Sequence, residues 1–388
     1  VWQSAYSDLM VNANLLLTKT VENPATTELE YNPFYQGTTR VMKAYVLLTL
    51  VDYFGDVPYT DAFNTSDFNP AANTGAVVYD SAEAMLNSAV AHLTAATTST
   101  QPKPTADLFY AGNAARWKKA ANTLLFKLYL NKRLVDKANA ETKMAALIAG
   151  NDMISSKAED FQFNYTANSQ SNPNTYHPWF YGSYLTSSGP YMSNSYMKEL
   201  YDGKGLKDPR IRYYFYRQVN VPTTDVNELT CSIPTFPYTT FPPAHYPPGT
   251  AYCQLPEGYW GRDHLNFEGT PPDGLKKTTY GLYPAGGRFD ANDAKPVTDQ
   301  GLASGGKGKG ILPFMMFSSV LFMKAEYELT RTGGSVAAAR ALLDQATRAS
   351  IDKVMTFNTA ATVASFVPSS TGVNNYVNVV LANFDAAA

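Results

Sequence analysis

The segment RVMKAYVLLTLVDYFGDVPY, residues 40–59, carries the strongest structural signal in the sequence. Apolar side chains recur at the spacing of one helix face at Val41, Tyr45, Leu48 and Val51. Further apolar residues lie between them, so the pattern predicts a helix over residues 37–54 that is buried almost all round. Gly55 favours a helix C-terminus and Pro58 cannot continue a helix, so the helix is predicted to end before them.

Six more segments show helical periodicity, namely 80–94, 113–135, 138–154, 313–331, 336–355 and 373–385. Their predicted starts are a capping box at Asp80 and Glu83, N-caps at Asn113 and Ser335, and Pro313 at a first helical position. Consecutive helices pair as hairpins, 37–54 with 80–94, 113–135 with 138–154 and 313–331 with 336–355. The sequence therefore predicts a mainly α fold with an irregular tetratricopeptide-like scaffold of helical hairpins.

Residues 156–310 have a different composition. They hold 16 of the 24 prolines, 17 of the 25 glycines and 16 of the 27 tyrosines. A disordered linker would lack the aromatic residues, so we predict an ordered, loop-rich insertion that carries the recognition surface. The predicted organisation is an N-terminal helical scaffold (1–155), this insertion (156–310) and a C-terminal helical scaffold (311–388), all in one compact unit.

Composition excludes several classes of function. Only 16% of the 388 residues are charged, the net charge is -2 and no block of like charges occurs, which argues against nucleic acid as a partner. No apolar stretch is long enough to predict a transmembrane helix. The histidines and cysteines lack metal-ligand spacing, and no nucleophile elbow or paired carboxylates stand out, so we expect no metal, no cofactor and no enzymatic activity. The segment GLASGGKGKG, residues 301–310, is predicted to be a flexible loop rather than a phosphate-binding loop.

Two further pairs of residues suggest contacts. Cys231 and Cys253 lie in a Pro-rich stretch and are either two separate buried thiols or a disulfide. We favour the disulfide, which implies an oxidising exterior. Lys43 and Glu326 each lie in an apolar helix, and because buried charges are tolerated chiefly in pairs, we predict that they form an ion pair.

Aromatic segments of the insertion supply the candidate ligand-binding residues. The stretches HPWFYGSY (177–184) and YWGRDH (259–264) place rings beside hydrogen-bonding side chains, a mixture that suits sugars or peptides. The alternative for any one ring is that it fills the core. The candidates are His177, Trp179, Tyr181, Tyr184, Tyr191, Trp260, Arg262 and Asp263. Trp179 ranks first because it is not part of an apolar helical stripe, which would predict that it packs in the core.

Several segments together resemble the SusD/RagB family of nutrient-binding outer-membrane lipoproteins, in particular its SusD-like subgroup. The segment 40–59 resembles the signature helix and turn of the family. The others, in the order of the family, are Tyr79–Leu93, YWGRDH (259–264), PPDG (271–274), YGLYPAGGRFD (280–290) and Phe314–Glu326. The resemblance extends over essentially the whole chain.

The resemblance implies a helical repeat scaffold with a ligand-binding insertion and no catalytic residues. It implies a location on the outer face of the outer membrane, through an N-terminal lipid anchor, and a SusC-like TonB-dependent transporter as partner. The lipid-bearing Cys is not in this sequence, so the anchor is implied by the resemblance alone. The family normally continues beyond the helix at the C-terminus, so either the sequence is truncated there or this member is short.

These observations predict a surface protein that captures a glycan or an oligopeptide and delivers it to the transporter. The alternative is a structural subunit of an outer-membrane assembly that has no nutrient-binding role.

Overall fold

The computed structural model describes residues 2–20, 31–67, 69–167, 175–185, 189–221, 254–262 and 276–387. They belong to two compact units. The first unit comprises Val1–Phe161 and Met315–Leu342, and the second comprises Gln162–Phe314 and Leu343–Ala388. The predicted mainly helical fold is confirmed. The C-terminal segment 311–388 divides between the two units.

The helices of the described residues are α1 (Val11–Lys19), α2 (Pro33–Phe54), α3 (Gly75–Thr98), α4 (Ala114–Lys132), α5 (Lys137–Gly150), α6 (Pro178–Tyr184), α7 (Asn194–Tyr201), α8 (Ile211–Tyr214), α9 (Phe317–Thr330), α10 (Val336–Met355) and α11 (Ser370–Ala387). A π-helical segment, Ser4–Met10, leads directly into α1. The strands are short: β1 (Val57–Pro58), β2 (Ala72–Asn73), β3 (Phe161–Asn164), β4 (Phe215–Tyr216), β5 (Gln254–Leu255), β6 (Tyr259–Trp260), β7 (Thr279–Tyr280) and β8 (Ile311–Met315). They form two-stranded pairs, β1–β2, β3–β8, β4–β7 and β5–β6.

Local capping decides where the helices of the first unit begin. Asn32 caps α2, since its side-chain oxygen accepts from the backbone N–H of Phe34 at 3.0 Å. Asn113 caps α4 as predicted. The predicted capping box of α3 is wrong, because α3 begins five residues earlier after Thr74.

Asp80 and Glu83, the residues of that box, pair with Lys132 at the end of α4. Each carboxylate lies 2.8 Å from the Lys132 ammonium group. These residues therefore join α3 to α4 and do not start a helix.

Helices α2 and α3 approach each other closely at Gly37. A Cβ atom at this position would lie 2.5 Å from Cγ of Leu93, so any larger residue would force the Leu93 side chain or α3 to shift. The sequence suggested that Gly37 begins the helix, whereas its role is to allow close helix packing.

Helix α9 begins four residues later than predicted. Pro313 lies in β8, not at the first helical position. Phe317 opens the helix, and its backbone N–H donates to the buried Asp160 carboxylate at 2.6 Å. A side chain distant in sequence provides this cap, which is why local sequence placed the start wrongly.

The predicted Lys43–Glu326 ion pair is wrong. Lys43 donates to the side-chain oxygen of Asn14 at 2.7 Å. Glu326 pairs with Arg133 at the end of α4. The physical reason is that Glu326 lies on the exposed stripe of α9, between Phe322 and Leu329, rather than in an apolar core.

The second unit is held by aromatic packing and by a buried ion pair. Arg217 binds Asp290 with two hydrogen bonds, 2.6 Å from Nε to Oδ2 and 3.0 Å from Nη2 to Oδ1, and both side chains are buried. The Arg217 guanidinium also stacks 4.8 Å from the ring of Tyr259 in β6. A separate cluster in this unit packs α11 on the last part of α10 through Ile351, Tyr376, Val377 and Leu381.

Candidate ligand-binding site

Helix α6 carries the most exposed of the predicted ligand residues. Two residues at its N-terminus, Pro178 and His177, determine where the helix begins. Pro178 occupies the first helical position, where its missing N–H has no cost. Nδ1 of His177 accepts from the backbone N–H of Trp179 at 3.1 Å and caps the helix. Burial lowers the pKa of His177 to about 4, so the ring is neutral at pH 7 and able to accept this bond.

The inner face of α6 is part of the core. Phe180 and Tyr184 are fully buried and stack on each other with their centroids 4.7 Å apart. The Tyr184 hydroxyl donates to the carbonyl of Tyr280 and accepts from the backbone N–H of Arg288, each at 2.7 Å. Tyr184 was predicted to bind ligand, and this prediction is wrong because the ring exposes no surface. The hydroxyl fixes the position of the helix.

The glycine-rich segment 301–310 packs against α6 and is not a flexible loop. The carbonyl of Gly308 accepts from the backbone N–H of His177 at 2.9 Å. A Cβ atom at Gly308, where φ is +75°, would lie 2.7 Å from the ring of Phe180 and 2.7 Å from Cβ of Tyr176. The loop prediction failed here because glycine allows a close backbone approach as readily as it allows mobility.

Two exposed rings project from α6, and each stacks on a second aromatic ring. Trp179 is 43% exposed and stacks on Tyr280 of β7 with centroids 4.7 Å apart and planes at 16°. Tyr181 is 44% exposed and stacks on Tyr176 at 5.6 Å and 25°. In each pair the inner ring covers one face of the outer ring, so the exposed area of the outer ring lies on its other face and edges.

The two outer rings lie on either side of Gly182. Residues two apart on a helix are separated by about 200° around its axis. The buried residues Phe180 and Tyr184 occupy the inner side, which places Trp179 and Tyr181 at the two flanks of the outer side. Gly182 lies between them, and a Cβ atom there would have no neighbour within 4 Å. We call Trp179, Tyr181 and Gly182 the α6 face: a glycine floor with a ring on each side.

The segment around β6 has a similar composition but is buried. The backbone N–H of Trp260 donates to the Thr278 hydroxyl, and its carbonyl accepts from the backbone N–H of Thr278, both at 2.8 Å. Trp260 is almost completely buried. Its prediction as a ligand residue is wrong, because strand pairing holds it inside.

Arg262 and Tyr191 form a stacked pair near this strand. The Arg262 guanidinium lies 4.5 Å from the ring centroid of Tyr191, and the ammonium group of Lys277 lies 4.9 Å from the same ring. Arg262 is buried and Tyr191 is half-buried. His177 is also buried, so it supports the site through α6 rather than by touching a ligand. Asp263, Cys231 and Cys253 lie outside the described residues.

Sequence reasoning missed Tyr280, Tyr176 and Gly182. Tyr280 lies about a hundred positions from its partner Trp179, so no local pattern could link the two. Gly182 had a readable signal, since a glycine among the rings of HPWFYGSY leaves a gap on the helix surface.

The described residues contain no group of three or more His, Cys, Asp or Glu side chains placed to hold a metal ion. Within them, no helix is both long enough and apolar enough to cross a membrane.

Comparison with known proteins decides the family. A family model described as SusD-like, starch-binding and associating with the outer membrane, matches residues 1–231. The chain belongs to the SusD-like family. A comparison with curated proteins gives no match.

Solved structures share the fold of this SusD-like chain. A chitin-binding SusD homologue from Flavobacterium johnsoniae is 20% identical, with a TM-score of 0.60 over 96% of this chain and 61% of that one. SusD homologues from Bacteroides vulgatus and Bacteroides uniformis are each 17% identical, with TM-scores of 0.59 and 0.62. The alignments cover 96% of this chain and 60% of the first, and 95% of this chain and 61% of the second. The chain therefore spans about three fifths of the length of these structures.

Proposed function

We propose that this SusD-like chain captures a glycan at the α6 face. The observation that carries the proposal is the exposed Trp179 ring, stacked on Tyr280 and separated by the Gly182 floor from a second exposed ring. A sugar ring has a flat face of C–H groups that packs on an aromatic ring, and its hydroxyl groups need polar contacts at the edges. A glycan lying across Gly182 meets one aromatic ring on each side.

The geometry favours a glycan over an oligopeptide. Peptide recognition commonly adds a strand to an exposed sheet edge or fills a groove with an apolar helix. The α6 face offers neither, since its backbone groups bond within the helix and its floor is a single glycine. Two separated flat rings match an extended ligand of repeated flat units. The family description and the chitin-binding relative support the same class of ligand.

The family also bears on where the chain acts. Association with the outer membrane is in the description of the family. We place this protein on the extracellular face, held by a lipid anchor and passing its glycan to a SusC-like TonB-dependent transporter. Binding and delivery, without catalysis, is the activity we assign.

Binding of starch and chitin oligosaccharides, measured by calorimetry, tests the proposal with the variant Gly182→Leu. The side chain of leucine would fill the floor between the two rings, and we expect affinity to fall at least about tenfold, or 1.4 kcal/mol. The helix itself should gain stability, because leucine is a better helix former than glycine by roughly 0.8 kcal/mol. A loss of binding would therefore not be a loss of folding.

Gly150→Leu is the matched control, because Gly150 ends α5 in equally open surroundings. It should leave affinity unchanged. If the protein bound oligopeptides but no oligosaccharide, the glycan assignment would be wrong. If it bound neither and co-purified with a transporter barrel, the structural-subunit alternative would replace the proposal.

A further inference from the structure

A row of aromatic rings crosses the surface of the first unit. It consists of five rings, each in contact with the next, in the order Tyr53, Phe54, Trp2, Tyr6 and Phe63. Centroid distances between neighbours lie between 4.9 and 6.3 Å. Tyr53 is 77% exposed and Phe54 is 50% exposed. We call these five residues the ring row.

Exposed aromatic rings in a contiguous row are unusual on a protein surface and mark places of interaction. The inner end of the row is anchored. The Tyr6 hydroxyl donates to the carbonyl of Pro58 at 2.6 Å, and Phe63 packs on the core around Met10 and Leu47. The row therefore runs from two freely exposed rings to a fixed one.

An open cavity of about 500 Å³ lies at the fixed end of the row. Its apolar lining includes Phe63, the last ring of the row, together with Val11 and Pro70. The volume lies within the range of small-molecule sites, roughly 300–1,000 Å³. The ring row thus leads into a concave site.

The polar lining of the cavity keeps unused hydrogen-bonding groups. Among the described residues, the Thr65 hydroxyl has no partner. The side-chain oxygen of Asn14 accepts from Lys43, which leaves its amide NH₂ available. The side-chain oxygen of Asn64 accepts from the backbone N–H of Ser66, which leaves its NH₂ available too.

Asp67 completes the polar set. Its Oδ1 accepts from the backbone N–H of Asn69 at 2.9 Å, while Oδ2 has no partner among the described residues. The cavity therefore presents amide donors, a hydroxyl and one carboxylate oxygen beside an aromatic wall.

We propose that the cavity and the ring row form a second saccharide-binding site, in which one sugar unit occupies the cavity and the following units lie along the rings. The amide and hydroxyl donors, with the Asp67 carboxylate oxygen and the Thr65 hydroxyl as acceptors, match the hydroxyl groups of a neutral sugar. An anionic ligand would need a cation, and no Lys or Arg is among the described residues that line the cavity; the nearby Lys43 ammonium group already donates to Asn14. The inference shares its ligand class with the proposed function but rests on different residues in the other unit.

Two variants test the second site with little risk to the fold. Tyr53→Ala removes the most exposed ring, and Thr65→Val removes the unpaired hydroxyl while keeping the size of the side chain. Each should lower the affinity of the second site for starch or chitin oligosaccharides by roughly five- to tenfold, as one stacking or hydrogen-bonding contact is lost. The matched controls are Leu134→Ala, an equally exposed side chain, and Thr105→Val, an exposed threonine of the same unit whose hydroxyl has no partner among the described residues.

Calorimetric titration with the same oligosaccharides separates the two sites. We expect two binding events in the native chain, one lost in Gly182→Leu and the other weakened in Tyr53→Ala and Thr65→Val. If Gly182→Leu alone abolished all binding, the second site would be refuted and the α6 face would stand. If Tyr53→Ala and Thr65→Val weakened all binding while Gly182→Leu changed nothing, the second site would stand and the α6 face would be refuted. Binding unaffected by Tyr53→Ala and Thr65→Val would also overturn the inference.

Discussion

Helix α6 and strand β6 come from segments of similar composition, yet one exposes its rings and the other buries them. Both segments combine a tryptophan, at least one tyrosine, a glycine and a histidine. On α6 the backbone bonds run within the helix, so one side of the helix remains free for Trp179. On β6 the backbone of Trp260 bonds to both the hydroxyl and the backbone N–H of Thr278 in a neighbouring segment, so Trp260 is held inside. The comparison shows that the partner of the backbone hydrogen bonds, within a helix or on another segment, matters more than composition for whether an aromatic ring stays exposed to a ligand.

The largest effect expected from this comparison is on Trp260. Trp260→Ala should lower the free energy of unfolding by about 3–5 kcal/mol, because it empties a buried site of a large ring. Urea denaturation followed by circular dichroism measures this loss. A change below about 1 kcal/mol would mean that Trp260 is not a core residue.

The ion pair beneath β6 should matter almost as much. Asp290→Asn removes the buried and closest charge partner of the Arg217 guanidinium and leaves only the partly exposed Glu257 carboxylate at 3.5 Å; breaking a buried pair typically costs about 3–5 kcal/mol. Asp344→Asn is the matched control, since Asp344 pairs with Arg348 on the exposed side of α10 and such surface pairs contribute about 0–1 kcal/mol. Equal effects of the two variants in urea denaturation would contradict the structural role assigned to Asp290.

Acid should weaken the α6 region through His177. The folded protein keeps this ring neutral down to a pKa of about 4, whereas the unfolded chain protonates it near pH 6.5. The unfolded state therefore binds more protons between these values, and stability is lost as the pH falls from about 6.5 to 4.

The variant His177→Asn isolates this effect, because asparagine can cap a helix but does not titrate. The melting temperature should decrease between pH 7 and pH 5 in both proteins. This decrease should be a few degrees smaller in the variant than in the native chain. An identical pH dependence in the two proteins would show that His177 does not titrate as described.

The smallest effect on folding is expected at Trp179. Trp179→Ala removes a ring that is already partly in water, so the free energy of unfolding should change by less than about 2 kcal/mol. The affinity for oligosaccharide should fall roughly five- to tenfold, since stacking contributes on the order of 1 kcal/mol. Tyr196→Ala, an exposed ring on α7, is the control for binding. A large loss of stability without any loss of affinity would mean that Trp179, like Trp260, is a core residue and does not bind the ligand.

The sequence predicted helices best where periodicity and caps are local. The helix predicted over 336–355 has the same bounds in the structure, and Asn113 caps α4 as expected. The start of α9 was missed because its cap, Asp160, lies far away in the chain. The Lys43–Glu326 pair was predicted wrongly, because an apolar neighbourhood in sequence does not say which side of a helix faces water.

The candidate site was predicted only in part. Trp179 and Tyr181 were named from composition, and both are exposed. Their stacking partners Tyr280 and Tyr176, and the floor at Gly182, depend on how the strand, the loop and the helix meet. Tyr184 and Trp260 have the same local chemistry as Trp179, so their burial could be read only from the tertiary structure.

A crystal structure of the protein with a bound starch or chitin oligosaccharide tests the central claim most directly. We expect a sugar ring within roughly 4 Å of the Trp179 face opposite Tyr280. The glycan should continue across Gly182 towards Tyr181. An oligosaccharide ordered elsewhere in the second unit, with the face of Trp179 left empty, would contradict the account.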